Sequence, residues 1–156
     1  MTQDPRPAPT QPLPREVRTM WIAEAAIAAL VGVVVAFVIA AWIEALMPWL
    51  PLAAAIGELA WVLVVPRRRH ERWRWELDEE ELDILEGVWS VTRTIVPLTR
   101  IQHVSVQRTG WTGLFGVVRL NVHTAADTTT IPGLEPARAD DVRDRILARL
   151  QTPDDL

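Results

Sequence analysis

Two long apolar runs stand back to back near the start of the chain and dominate its hydrophobic pattern. The first covers residues 21–46 and the second covers residues 50–65, with Pro48 and Trp49 between them. As helices, the first run would measure about 39 Å and the second about 24 Å. Since a bilayer core is about 30 Å thick, the pattern predicts a membrane hairpin. Its shorter second helix would span with the help of flanking residues, local thinning or close packing on the first helix.

Beyond residue 70 the pattern changes to short segments in which apolar and polar residues alternate, as they do in β-strands. Six such segments follow, each bounded by Pro, Gly or polar turns: residues 72–77, 81–87, 88–97, 101–108, 117–125 and 128–134. Pro136 then opens a helix with one apolar face. This face consists of Ala139, Val142, Ile146 and Leu150. The pattern predicts an α+β domain, in which a curled antiparallel sheet is capped by a C-terminal helix.

The two ends of the chain lack this patterning. Residues 1–18 carry five prolines and few large apolar side chains, so they are predicted to form a disordered Pro-rich tail. Residues 151–156 are predicted to fray. The domain plan is therefore this tail, a transmembrane hairpin over residues 19–69, a folded domain over residues 70–150 and the frayed C-terminus.

The arginines predict the orientation of the hairpin. Arg15 and Arg18 precede the first span and residues 67–69 follow the second, while the connection between the spans carries no charge. By the positive-inside rule, both termini face the cytoplasm. A signal peptide is an alternative for the first run, but that run exceeds the usual apolar core of about 7–15 residues.

Composition and charge exclude several classes of function. The chain has no cysteine, which excludes disulfides, thiolate nucleophiles and zinc sites built on cysteine. All sixteen basic residues are arginine, so no Schiff-base or P-loop lysine is available. The formal charge is +1 over residues 1–69 and −5 over residues 70–156. The acidic second part argues against nucleic acid as a partner.

The sequence predicts no catalytic, cofactor-binding or metal-binding residues. Ser90 and Ser105 are the two serines of the chain, and neither lies in a Gly-x-Ser-x-Gly turn. Pairing of the strands at residues 101–108 and 117–125 would set His103 opposite His123, but two imidazoles make a weak metal site. The chain is therefore predicted not to be an enzyme and to need no cofactor.

Two groups of residues and one single residue are candidates for interaction. An apolar cluster in a loop suits contact with a protein, and it consists of Trp111, Leu114 and Phe115. Four arginines after the second span are placed to meet anionic lipid, and they are Arg67, Arg68, Arg69 and Arg72. Glu58 lies near the middle of the second span, where a carboxylate must be neutral or paired, and is a candidate contact to another subunit. The alternative for the apolar loop is a plug at one mouth of the barrel, and the alternative for the arginines is a topology signal. For Glu58 the alternatives are a neutral carboxylic acid that hydrogen-bonds within the hairpin and an ion or proton relay.

Several segments resemble those of a known family. They are RWRWEL at 72–77, VPLTRIQHV at 96–104, LFG at 114–116, LNVHTA at 120–125 and IPGL at 131–134. Over residues 16–150 the chain resembles the bacterial pleckstrin-homology-like membrane proteins, the YdbS-like family, formerly a domain of unknown function. The resemblance implies a pleckstrin-homology-like split β-barrel of about six or seven antiparallel strands capped by a C-terminal helix. It also implies a location in the bacterial inner membrane, a membrane protein partner and no catalytic residues.

Two departures from related domains bear on ligand recognition. Members of the family often place a basic residue before the Phe-Gly pair, whereas Gly113 and Leu114 precede Phe115 here. Pleckstrin-homology domains that read phosphoinositides carry a basic first hairpin, whereas residues 78–81 are all acidic here. We therefore expect a membrane-anchored, non-enzymatic scaffold that presents its domain at the inner leaflet. Its expected partners are the bilayer and another membrane protein or a second copy. The alternatives are a lipid-sensing module and a small accessory subunit of a transporter.

Overall fold

The computed structural model describes residues 7–150, and the predicted fraying of residues 151–156 lies outside this range. Helix α1 covers Arg15–Trp42 and helix α2 covers Trp49–Arg72, and they pack side by side. A single 3-10 turn at Glu44–Leu46 lies between them, so the connection carries a negative charge that the sequence prediction had not placed there. In each helix only 6% of the most apolar 18-residue window is buried. A bilayer accommodates such exposed apolar faces, as the predicted hairpin requires.

Both helices extend beyond the predicted spans. Helix α1 begins at Arg15 because its first turns bury three side chains in the folded domain, and these are Val17, Met20 and Trp21. Helix α2 continues through Pro66 to Arg72. Although Pro66 removes one backbone donor, the basic residues after it favour the C-terminal end of a helix.

The segment before α1 corrects the predicted disordered tail. Strand β1 (Gln11–Pro12) pairs antiparallel with the strand that follows α2, and Leu13 is 3% exposed. Arg93 Nη2 also donates to the carbonyl oxygen of Pro7, at 2.8 Å. Prolines suit an edge strand because they have no N–H to leave unpaired. The proline content that suggested disorder therefore accompanies an extended, docked segment, while residues 1–6 lie outside the described range.

Six further strands match the six predicted segments, and they form two antiparallel sheets with β1. They are β2 Arg74–Leu77, β3 Glu81–Gly87, β4 Val91–Pro97, β5 Ile101–Gln107, β6 Val118–Thr124 and β7 Thr128–Leu134. The sheets have the orders β1-β2-β3-β4 and β5-β6-β7, and they do not close into a continuous barrel. The predicted fold of antiparallel strands with a C-terminal helix is confirmed.

One strand begins later than predicted. The chain turns after β3 at Gly87, whose φ of +150° is a conformation that side chains disfavour. A Cβ at this position would also overlap the carbonyl of Ser90. As a result Trp89, predicted to lie within a strand, is in the turn between β3 and β4.

The register of the second sheet agrees with the sequence prediction. His103 on β5 lies opposite His123 on β6, and their rings stack with centroids 5.7 Å apart. The next pair, Val104 and Val122, is buried. Helix α4 (Pro136–Leu150) buries its predicted apolar face, apart from its last residue, which is 38% exposed.

The strands run between two chemically different ends of the domain. The helices α1 and α2 join the domain at one end, and we call this end the membrane-facing end. It holds the turn at residues 88–90 and the connection from β5 to β6, which contains the short helix α3 (Gly110–Leu114). Because β2 leaves α2 directly and runs away from it, the acidic turn at residues 78–80 lies at the opposite end. The domain therefore keeps its acidic turn away from the hairpin.

Candidate membrane-facing interaction surface

One face of α1 contacts both groups of predicted interaction residues. The guanidinium carbon of Arg69 lies 4.2 Å from the centroid of the Trp21 ring, a cation–π contact. Trp111 Nε1 donates to Glu24 Oε1 at 2.9 Å. Trp21 and Glu24 are three residues apart and share a helix face. The arginine cluster and the apolar loop, far apart in sequence, therefore belong to one surface.

The end of α2 is attached to the turn between β3 and β4 by two arginines. The guanidinium carbon of Arg68 lies 5.1 Å from the centroid of the Trp89 ring. Arg72 Nη1 donates to the carbonyl oxygen of Val88 at 2.9 Å. These contacts make the arginine cluster a clamp between helix and domain, a role that the sequence did not indicate.

Neighbouring residues of α2 make contacts along the helix and with the segment before α1. Arg67 Nε donates to Glu71 Oε1 at 2.8 Å, one helical turn away. This hydrogen bond lowers the pKa of the Glu71 carboxyl below its ordinary value and raises the pKa of the Arg67 guanidinium. His70 Nε2 lies 3.1 Å from the carbonyl oxygens of both Leu13 and Pro14. The segment before α1 is thereby held against the end of α2.

Helix α3 presents the apolar loop. Thr109 and Thr112 form a capping box, in which each side chain accepts from the backbone N–H of the other. Trp111 and Phe115 pack edge to face, with centroids 5.3 Å apart, and both lie partly buried against the core. Leu114 is 77% exposed. Of the three predicted contact residues, Leu114 is therefore the one that the fold leaves accessible.

Two exposed apolar residues of this surface were not among the sequence candidates. Trp89 is 66% exposed and Val91 is 51% exposed, beside the arginine clamp. The signal in the sequence was the turn chemistry of Gly87 and Ser90 on either side of Trp89. Together with Leu114, these two residues form an apolar rim, the name used below for Trp89, Val91 and Leu114.

For a hairpin that crosses a bilayer, the lengths of the two helices predict that its junction with the domain lies near the lipid headgroups. From Glu24 to Trp42, α1 is about 27 Å long, and from Trp49 to Pro66, α2 is about 26 Å long. Both lengths are close to the hydrocarbon thickness of about 30 Å. Glu24 and the residue after Pro66 therefore mark the boundary of the apolar span on the domain side.

Glu58 belongs to a different part of the molecule. Its carboxylate packs against α1, since a Cβ at Gly32 would lie 2.5 Å from Glu58 Oε1. Along α2 it is about 14 Å from Arg67, well away from the rim. Its predicted contact to another subunit stays a prediction.

Within residues 7–150, no group of three or more His, Asp or Glu side chains is placed to hold a metal ion. In the stacked pair of imidazoles, the His123 ring is hydrogen-bonded to neighbouring hydroxyl groups. His123 Nδ1 lies 2.9 Å from Thr128 Oγ1, and His123 Nε2 lies 3.4 Å from Ser105 Oγ.

Comparison with known proteins places these features in a family. The sequence profile of the Bacterial PH domain family matches residues 20–150. The chain is also 37% identical over 100 residues to the transmembrane protein YdbS of Bacillus subtilis (strain 168). That match covers 64% of this chain and 63% of the relative, so it spans less than two thirds of either protein. Among solved protein structures, none matches this chain.

Proposed function

The chain belongs to the bacterial PH domain family and is a transmembrane protein, and we propose that it acts as a non-enzymatic interaction module at the membrane surface. In this proposal the hairpin crosses the bacterial cell membrane with both termini in the cytoplasm. The PH domain is then held at the inner leaflet, where it binds another membrane protein.

The direct continuity of hairpin and domain core is the observation that supports this function. The first turns of α1 bury Val17 and Met20 in the core, at 0% and 1% exposure. Trp73, the residue after α2, is 1% exposed in the same core. Because neither helix is joined to the domain by a flexible linker, the domain has a set height and orientation. A partner in the same membrane then binds at a lower entropic cost.

The apolar rim is the surface that such a partner would meet. Leu114 and Trp89 flank the hairpin at headgroup depth and are the most exposed large apolar side chains of the domain that the structure describes. Exposed apolar residues near a cationic cluster are typical of interaction sites. A juxtamembrane segment of the partner would bury both side chains.

Site-specific photocrosslinking in the native membrane tests the interaction. A photoreactive phenylalanine analogue replaces Leu114 in the full-length chain, and a matched control replaces Ala125, which is exposed at the opposite end of the domain. We expect a single protein adduct of defined mass from position 114 and none from position 125. Adducts with lipid alone at position 114, or equal protein adducts at both positions, would contradict the proposal.

The absence of native cysteine allows a separate test of the topology. A cysteine replaces Glu44 in the connection between the helices, or Asp127 in the domain, and intact cells are treated with a membrane-impermeant maleimide. We expect labelling of the Glu44 variant only, since that connection faces away from the cytoplasm in the proposed orientation. Labelling of the Asp127 variant alone would reverse the topology.

A further inference from the structure

A cavity of about 270 Å³ lies where α1 and α2 meet the two sheets. Four charged side chains line it, and they come from four different elements: Glu24 of α1, Arg69 of α2, Glu86 of β3 and Arg119 of β6. The cavity is therefore assembled by the tertiary fold, at the headgroup depth marked by Glu24. Its lining holds two positive and two negative charges.

These four side chains are not tied up in close ion pairs with one another: among the described residues, no ion pair within 4 Å joins any two of them. The guanidinium carbon of Arg69 lies 4.2 Å from the centroid of the Trp21 ring, and no hydrogen bond in the described part of the chain uses the guanidinium N–H groups of Arg69. Glu24 accepts one hydrogen bond, from Trp111, through one of its two carboxylate oxygens. The cavity thus offers both donors for an anion and acceptors for a cation.

We propose that this cavity binds the headgroup of an aminophospholipid, a phosphate ester that carries a primary ammonium group. The guanidinium groups of Arg69 and Arg119 bind the phosphate, for which their planar donors are suited. The carboxylates of Glu24 and Glu86 accept hydrogen bonds from the ammonium group. A purely anionic headgroup would meet both carboxylates and a simple cation would meet both guanidiniums, so a zwitterion fits this set of charges best.

Size and depth agree with this ligand. A volume of about 270 Å³ is slightly below the usual range of about 300–1,000 Å³ for ligand pockets, so it suits a compact headgroup. Beyond Glu24, the outer side of α1 is apolar and exposed, with Ile27 at 55% and Leu30 at 67%. This surface would carry the acyl chains while the headgroup occupies the cavity.

Native mass spectrometry of the delipidated full-length protein in mild detergent measures the selectivity. Phosphatidylethanolamine, phosphatidylcholine and phosphatidylglycerol are titrated separately at equal concentrations. We expect phosphatidylethanolamine to bind about tenfold more tightly than either of the others, the ratio expected for one well-formed charge-assisted hydrogen-bond set. Phosphatidylcholine has no N–H to donate, and phosphatidylglycerol has no cation.

Two substitutions separate the two halves of the headgroup. Arg119→Gln should weaken the binding of phosphatidylethanolamine about tenfold, because it removes a side chain that binds the phosphate. Glu86→Gln should instead remove the preference for phosphatidylethanolamine over phosphatidylglycerol, because it removes an ammonium acceptor. Arg100→Gln, an exposed arginine at the opposite end of the domain, is the matched control and should leave all three affinities unchanged. All variants should keep the denaturation midpoint of the unmodified chain.

Other outcomes decide against the site or identify its ligand source. Equal binding of phosphatidylethanolamine and phosphatidylcholine, or tighter binding of phosphatidylglycerol, would overturn the proposal. An unchanged preference in Glu86→Gln would overturn it as well. Soluble glycerophosphoethanolamine that displaces the lipid one for one would support the site and show that the headgroup suffices. If the lipid stays bound in the presence of glycerophosphoethanolamine, the result would support the site and show that the acyl chains are required.

Discussion

The substitution Gly133→Ala tests the docking of α1 into the domain, on which the proposed function rests. Gly133 lies on β7, where the sheet meets the first turn of α1. A Cβ at this position would lie 2.5 Å from Val17 Cγ2 and 3.4 Å from Val117 Cγ2. Since valine has little rotamer freedom and both side chains are buried, neither neighbour can rotate away from the new methyl group.

The expected cost follows from overpacking a rigid contact. Inserting one methyl group into a closely packed core destabilises by about 1–3 kcal/mol. Removing the opposing methyl groups alone, by Val17→Ala, should cost about 2 kcal/mol through lost burial. In the double variant the new methyl group fills space that the Val17 side chain vacates. The destabilisation of the double variant should therefore be about 1 kcal/mol smaller than the sum of the two single destabilisations.

Chemical denaturation of the full-length protein in lipid nanodiscs provides the assay. The hairpin stays in the lipid, so the change in tryptophan fluorescence on denaturation reports the domain, whose core holds Trp73 and Trp75 at 1% and 2% exposure. Gly110→Ala is the control, because a Cβ there meets no atom within 4 Å. It should change the free energy of unfolding by less than about 0.5 kcal/mol.

Additive costs in the double variant would refute the reasoning. They would mean that Val17 and Gly133 do not touch, and that α1 is not part of the domain core. A Gly133→Ala variant as stable as the Gly110→Ala control would lead to the same conclusion. The domain would then be free to move relative to its hairpin.

Three further predictions concern charge and depth. Arg93→Met should destabilise the domain by about 3–5 kcal/mol, because it leaves the buried carboxylate of Asp83 without its ion-pair partner. In the unmodified chain Arg93 Nη2 lies 2.6 Å from Asp83 Oδ2, and the Asp83 side chain is 8% exposed. A destabilisation below about 1 kcal/mol in chemical denaturation would mean that water replaces the pair. Glu71→Gln should lower stability slightly near neutral pH, and the difference should vanish in acid. Since the folded-state pKa of Glu71 is lowered, its contribution is present above the ordinary value of 4.5 and is lost as the pH falls through the folded-state value. A pH-independent difference in thermal denaturation would contradict this. A spin label on Leu114→Cys should show headgroup depth by power saturation, whereas one on Ala125→Cys should report bulk water; equal depths would place the rim away from the bilayer.

The succession of elements was readable from the sequence because local patterns encode it. Alternation of apolar and polar residues located β2 to β7, and a register that buries valines on one face set His103 opposite His123. Pro136 and the apolar stripe after it located α4. The strand and helix signals depend on neighbours within about ten residues, and the register of β5 and β6 follows from the face that each strand buries.

The features that the sequence did not indicate lie where distant segments meet. The segment before α1 looks disordered by composition, but it becomes an edge strand because β2 offers it an unpaired edge. Trp111 stays a candidate for interaction, and the structure adds that Glu24, far away in sequence, accepts its N–H. The apparent topology signal of the arginines is also a clamp, because the turn at residues 88–90 folds back onto α2.

The sequence by itself therefore determined what the molecule is made of: an apolar hairpin, an antiparallel sheet, a closing helix and a chemistry without thiols or lysine. Only the tertiary structure decided how the hairpin and the domain are joined and which charges share a cavity. Glu24, Arg69, Glu86 and Arg119 come from four elements, and no local pattern relates them. Their meeting depends on the packing of α1 against both sheets, which is a property of the whole fold.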